Sequence, residues 1–194
     1  MNASNAVAFS RDGRLLAASL LTGGVRLYDP VGGALVRTIS DPGDDSVSLA
    51  FGPHEMLAAG TVGGTLELWD AANGRRVGAP VLADTATVTS VAFDPSGRHL
   101  ASTGSGDGTI KLWFTPGLEQ EGPRLASDPG ATSSAAFEPG GQDLLVIDNH
   151  GGAFVWPTSL AVWERDACSL AGRSLTRSEW TQYVGGAHYT AVCH

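Results

Sequence analysis

Apolar and small polar residues alternate in short stretches along the chain, and the stretches recur at a regular interval. The clearest is Val88-Thr89-Ser90-Val91-Ala92-Phe93, whose period of two predicts a buried inner β-strand. Asp94-Pro95-Ser96-Gly97 follows as a turn, with Pro suited to an early turn position and Gly to a positive φ. His99 to Thr103 predicts a second strand, Gly104-Ser105-Gly106-Asp107-Gly108 a second turn, and Thr109-Ile110-Lys111-Leu112-Trp113 a third strand. Leu118 to Leu125 must hold an outer strand, and its pattern is weak.

The same layout occurs four times. Phe9, Phe51, Phe93 and Phe137 end the first strands at intervals of 42, 42 and 44 residues. Tyr28, Trp69, Trp113 and Trp156 close the third strands at intervals of 41, 44 and 43. Two independent markers share one period, so the eight aromatics read as structural core. A period in the 40s predicts an all-β chain of the β-propeller kind, each repeat one four-stranded blade, with blades at about 5–45, 46–86, 87–131 and 132–159.

Residues 5–159 resemble the WD40 family in the Val-Ala-Phe inner strands, the Asp-Gly or Gly-Gly turns and the Leu68-Trp69-Asp70 ending. The resemblance implies a rigid, non-catalytic protein-binding ring. The chain also departs from the family. Asp84 and Asp128 stand near the expected His, and Asp107 alone keeps the second-turn Asp, with Gly23, Gly63 and Gly151 in its place elsewhere. The buried His–Asp–Ser/Thr–Trp network is therefore expected to be missing, and the blades to be held mainly by apolar stacking.

Beyond residue 159 the period breaks. Trp163, Ala167, Leu170 and Ala171 lie at helical spacing, and Gly172 can end that helix. Thr176-Arg177-Ser178-Glu179 has the form of a capping box, predicting a second short helix from about Arg177 to Tyr183. Residues 160–194 are thus expected to be a helical cap on the last blade, with Trp163 and Trp180 packing it down. The run Ala167-Cys168, Ala171-Gly172-Arg173, Glu179-Trp180 and Cys193 resembles the C-terminus of many bacterial WD40 proteins, including signalling NTPases of the STAND class. That resemblance implies the end of a sensor propeller in a larger signalling protein.

Four blades are few for such a ring, and an open set would leave two apolar faces uncovered. Three resolutions stand open: further blades N-terminal to these, a second copy completing a composite ring as a structural assembly protein, or closure of the four alone.

Charge narrows the partners. The 194 residues carry 20 acids against 12 bases, a net −8, which argues against nucleic acid and anionic membrane. The segment 160–194 is neutral, so the repeats carry the whole excess. No apolar run approaches the roughly 20 residues that span a bilayer. With no signal-peptide pattern in Met1 to Ser10, the chain is expected to be cytoplasmic.

Candidate chemistry is sparse. Gly104-Ser105-Gly106-Asp107-Gly108 has Thr109 where a dinucleotide loop needs Gly, and it precedes a strand. Thr103 stands where a nucleophile elbow around Ser105 needs Gly. Cys168, His188, Cys193 and His194 match no common zinc spacing. Cys168 and Cys193 could pair as a disulfide or close contact, or remain buried free thiols. No catalytic, cofactor or metal residue is assigned, and an enzyme is the remote alternative. Asp44, Asp45, Asp84, Asp128, Asn149 and His150 fall in interstrand loops. They are candidates for a partner-binding face, against the plainer reading of solvated loop charge.

Overall fold

The computed structural model describes residues 6–20, 23–39, 45–126, 134–148, 150–174, 176–179 and 193. The chain divides into two compact units, Met1–Val155 and Trp156–His194.

Among the described residues, sixteen strands form four antiparallel sheets. The first runs β1 (Val7–Phe9), β2 (Leu16–Ser19), β3 (Val25–Tyr28), β4 (Leu35–Ile39). The second runs β5 (Ser46–Phe51), β6 (Met56–Thr61), β7 (Thr65–Asp70), β8 (Arg75–Arg76), with β9 (Val81–Leu82) also on β7. The third is β10 (Val88–Phe93), β11 (His99–Gly104), β12 (Thr109–Phe114), β13 (Glu119–Ala126), and the fourth is β14 (Ser134–Phe137), β15 (Asp143–Ile147), β16 (Ala153–Pro157).

The expectation of a WD40-type propeller segment of four four-stranded blades is corrected. The sheets are open meanders, not closed or curled into propeller blades, and among the described residues their strand counts are four, five, four and three. First strands pack in succession, β1 with β5, β5 with β10 and β10 with β14, and among the described residues no comparable packing joins β14 to β1. The second sheet gains its extra strand because Gly78-Ala79-Pro80 interrupts the outer edge. Gly78 takes φ 75° and Pro80 lacks an N–H, so β8 pairs with Trp69 and Asp70 while β9 pairs separately with Thr65 and Leu66.

The repeat is nonetheless exact in register. Phe9, Phe51, Phe93 and Phe137 lie opposite Leu16, Leu57, Leu100 and Leu144. A bulge falls at one repeat position in β5 and β10, between Ser46 and Ser48 and between Val88 and Ser90. Bulges redirect side chains. Here they accompany two inter-sheet bonds: Ser48 Oγ donates to Val88 O at 2.9 Å, and Ser90 Oγ accepts from Ala135 N at 3.3 Å.

The first turns differ in one place. Gly97 closes the turn after β10 at φ 74°, whereas the corresponding turn after β5 is a 3-10 turn, Pro53–Glu55. There His54 and Glu55 enter the left-handed region, at φ 54° and 56°, because no glycine is available.

Apolar stacking is not the sole tie. Trp113 Nε1 donates to Ser102 Oγ at 2.8 Å, and Trp69 Nε1 to Glu67 Oε2 at 3.2 Å. Val146 holds the repeat position of Ser102, and the Trp156 indole N–H is buried without a partner among the described residues. Asp84, 2% exposed, accepts the amides of Ala86 (2.7 Å) and Gly106 (2.9 Å). Lys111, the sole lysine, is buried; its Nζ donates to Ala83 O and pairs with Asp107 Oδ2 at 3.1 Å. Burial opposes ionisation of Asp107, but hydrogen bonds with Thr109, Asp84 and Lys111 outweigh it and hold the carboxyl well below its ordinary value.

In the second unit, α1 (Leu160–Ala171) ends at Gly172, which takes φ 67° and donates its N–H to Cys168 O at 2.9 Å. Thr176 and Glu179 form a reciprocal capping pair. Thr176 N donates to Glu179 Oε2 at 2.8 Å, and Glu179 N to Thr176 Oγ1 at 3.3 Å. The Arg173 guanidinium grips both Glu179 oxygens at 2.7 Å and, with Thr176, pulls that carboxyl down to about 2. Residues 177–179 are helical; Trp180 and Tyr183 lie outside the described residues, and so does most of the second predicted helix.

Two outcomes are expected. A methyl at Gly104 would strike the Asp84 carboxylate, so Gly104→Ala lowers the urea-unfolding free energy by about 1–3 kcal/mol. Because Asp107 is depressed in the fold, its contribution is complete above the unfolded value near 3.8 and is lost as pH falls below it. Asp107→Ala therefore costs about 1–3 kcal/mol at neutral pH, and urea titrations repeated down to pH 3 show a shallower acid decline than wild type.

Candidate functional site

The repeated phenylalanine makes the inter-sheet contact and shows where that contact is unfinished. Phe51 is 8% exposed and packs into a cluster with Ala17, Val25 and Leu27 of the first sheet. Phe93, 9% exposed, packs with Ala58, Leu66 and Leu68 of the second. Each ring is thus covered by the preceding sheet, on a face lowered by alanine. Gly52 brings backbone equally close: a Cβ there would stand 3.0 Å from the Phe93 ring.

The first sheet has no predecessor among the described residues, and Phe9 is 62% exposed beside Val7 at 63%. The fourth sheet presents the other uncovered face. Leu145, Ile147 and Val155 are exposed there, Leu145 by 42%. Leu145 holds the repeat position of Ala17, Ala58 and Ala101, each fully buried. Ile147 likewise replaces Ser19, Gly60 and Thr103. The notch that receives an aromatic in the earlier sheets is filled in the last. The two uncovered faces therefore both protrude, and Phe9 does not fit the Leu145 face as Phe51 fits Ala17. Contiguous exposed apolar side chains of this kind mark association surfaces.

The loop residues singled out in the sequence are placed as follows. Asp45 is exposed, and its carbonyl accepts Val62 N at 3.0 Å. Asp84 is buried, as described. His150 is exposed, its amide donating to Asp148 Oδ1 at 2.9 Å. Asp44, Asp128 and Asn149 lie outside the described residues. Trp69 and Trp113 are buried, while Tyr28, Phe137, Trp156 and Asp107 are half-buried. Cys168 and Cys193 are joined in a disulfide. Among the described residues, no group of three or more His, Cys, Asp or Glu is placed to hold a metal ion, and no helix is long and apolar enough to cross a membrane. The Leu145 face was readable in the sequence as a Leu-for-Ala change at one repeat position.

The family model described as WD domain, G-beta repeat matches residues 80–113, a span of one repeat that does not establish membership for the chain. The chain is 33% identical over 94 residues to mouse (Mus musculus) telomerase protein component 1, covering 48% of this chain and 4% of that protein. Among solved structures it resembles the computationally designed Ika4 protein, with TM-score 0.69, 21% identity, and 82% of this chain and 93% of that one covered. It also resembles a chain of the mitotic checkpoint complex, with TM-score 0.70, 24% identity, and 80% and 49% covered. Likenesses at these identities concern the fold alone. The expected WD40 membership across residues 5–159, with the sensor or scaffold propeller of a bacterial signalling protein and the self-completing half-ring, is thereby withdrawn. The family match reaches one repeat, the sheets are open, and the likeness to the solved structures is of fold alone.

The covered and uncovered phenylalanines are expected to differ in worth. Phe93→Ala costs about 3–5 kcal/mol of unfolding free energy, whereas Phe9→Ala costs less than about 1 kcal/mol; urea denaturation of the two variants checks the contrast.

Proposed function

We propose that the chain is a non-catalytic module that binds a different polypeptide through its two uncovered apolar faces. The single observation that carries this is the exposure of Phe9 and Val7 at one end of the sheet series and of Leu145, Ile147 and Val155 at the other. A partner for the Phe9 face presents small residues, as the Ala17 and Ala58 faces do for Phe51 and Phe93. The filled notch at Leu145 favours another protein over a second copy, since a head-to-tail pair would set one protrusion against another. The non-catalytic part of the reading draws support from the carboxylates. Asp12, Asp29, Asp70, Asp84, Asp94, Asp107 and Asp148 each accept backbone amides in turns, which is a structural use. Cytoplasmic placement belongs to the same proposal and rests on the sequence.

Fluorescence of the apolar dye anilinonaphthalene sulfonate, read with light scattering, tests it. The native chain is expected to bind the dye as a 20.0 kDa particle, and Phe9→Asp and Leu145→Asp to reduce the signal while the fold persists. Dye binding unchanged in both folded variants would contradict the assignment of the faces, and a stable two-copy particle would contradict the choice of partner.

A further inference from the structure

The Cys168–Cys193 disulfide ties the last turn of α1 to a residue 25 positions later. Both cysteines are half-buried, so the sulfurs lie near the surface. Among the described residues, the other ties on Cys193 are two hydrogen bonds with one side chain: Ser174 Oγ donates to Cys193 O at 2.8 Å and accepts from Cys193 N at 3.0 Å. Arg173, Thr176, Arg177 and Ser178 are exposed. The covalent bond closes a loop between residues 168 and 193. Cytosolic disulfides in mesophiles are generally transient or redox-sensing, so a covalent clasp in a chain proposed to be cytoplasmic calls for reversibility.

We propose that this disulfide is a thiol-exchange site, opened by low-molecular-weight thiols of the glutathione class, and that its opening removes the covalent closure of the loop between residues 168 and 193. The incoming thiolate attacks Cys168 Sγ. The Sγ–Sγ bond breaks, and its electron pair leaves on Cys193 Sγ, which takes a proton from water. Cys193 is the departing sulfur because Cys168 lies at the carbonyl end of α1, which disfavours a thiolate there. A second thiolate then attacks the mixed disulfide at Cys168, releasing the oxidised small-molecule disulfide and leaving the Cys168 thiol. Two thiols are oxidised and one protein disulfide is reduced. The exchange is independent of the apolar faces, and only its use in the cell rests on cytoplasmic placement.

The full chain, incubated undenatured in glutathione buffers, quenched with an alkylating reagent and read by mass spectrometry, tests the proposal. Excess reduced glutathione is expected to open the bond, with the trapped mixed disulfide on Cys168. Trypsin then cuts after Arg173 and Arg177 about tenfold faster or more than in the oxidised chain, and the Cys193→Ser variant is cut at the fast rate without any reductant. The proposal is overturned if the bond resists glutathione until denaturant is added. A mixed disulfide confined to Cys193, or a Cys193→Ser variant as resistant as the oxidised chain, overturns it equally.

Discussion

The packing of one phenylalanine per repeat against the small-residue face of the preceding sheet is the contact on which the first unit depends. A single antiparallel sheet of short strands cannot bury both of its faces. Alanine at positions 17 and 58 lowers the facing surface by the depth of a ring, and Phe51 and Phe93 fill that depth. Close packing of this kind is sensitive to every added methylene. It follows that Gly52 lies against the Phe93 ring and that large aliphatics appear in the facing position only in the last sheet.

Polar groups fix what apolar packing leaves free. The bulges of β5 and β10 accompany a serine hydroxyl aimed across each of two sheet boundaries, bonded to Val88 and to Ala135. Such directional bonds set the register between neighbouring sheets, which non-directional burial does not. The Asp84, Asp107 and Lys111 group ties the segment before β10 to the turn between β11 and β12. There a buried cation is tolerated because carboxylate and carbonyl oxygens both receive it.

Much of this was legible in the residues. Period-two alternation with Phe at strand ends located most inner strands, and Gly172 and the Thr176 to Glu179 pair carried their capping roles in the sequence itself. The repeat period also led to a propeller, and there sequence reading failed for a physical reason. Periodicity reports the unit that recurs; it is silent on whether the first and last units meet. The informative residues were exceptions to the repeat, Leu145 and Ile147 in place of Ala and small polar residues, which a search for similarity passes over. The outer edge of the second sheet was hidden likewise, because Pro80 splits one strand into two short ones. The cysteine pair could not be decided from spacing, since a separation of 25 residues permits either state.

The most direct measurement is native-state hydrogen exchange resolved along the chain by mass spectrometry. If covered phenylalanines carry the fold, the amides of β6, β7, β11 and β12, which flank the two clusters, exchange slowest. Those of β1 and β14, at the uncovered ends, exchange far faster. Equal protection from the first sheet to the fourth would contradict the account, because it would require the end sheets to be held by something other than the contact described.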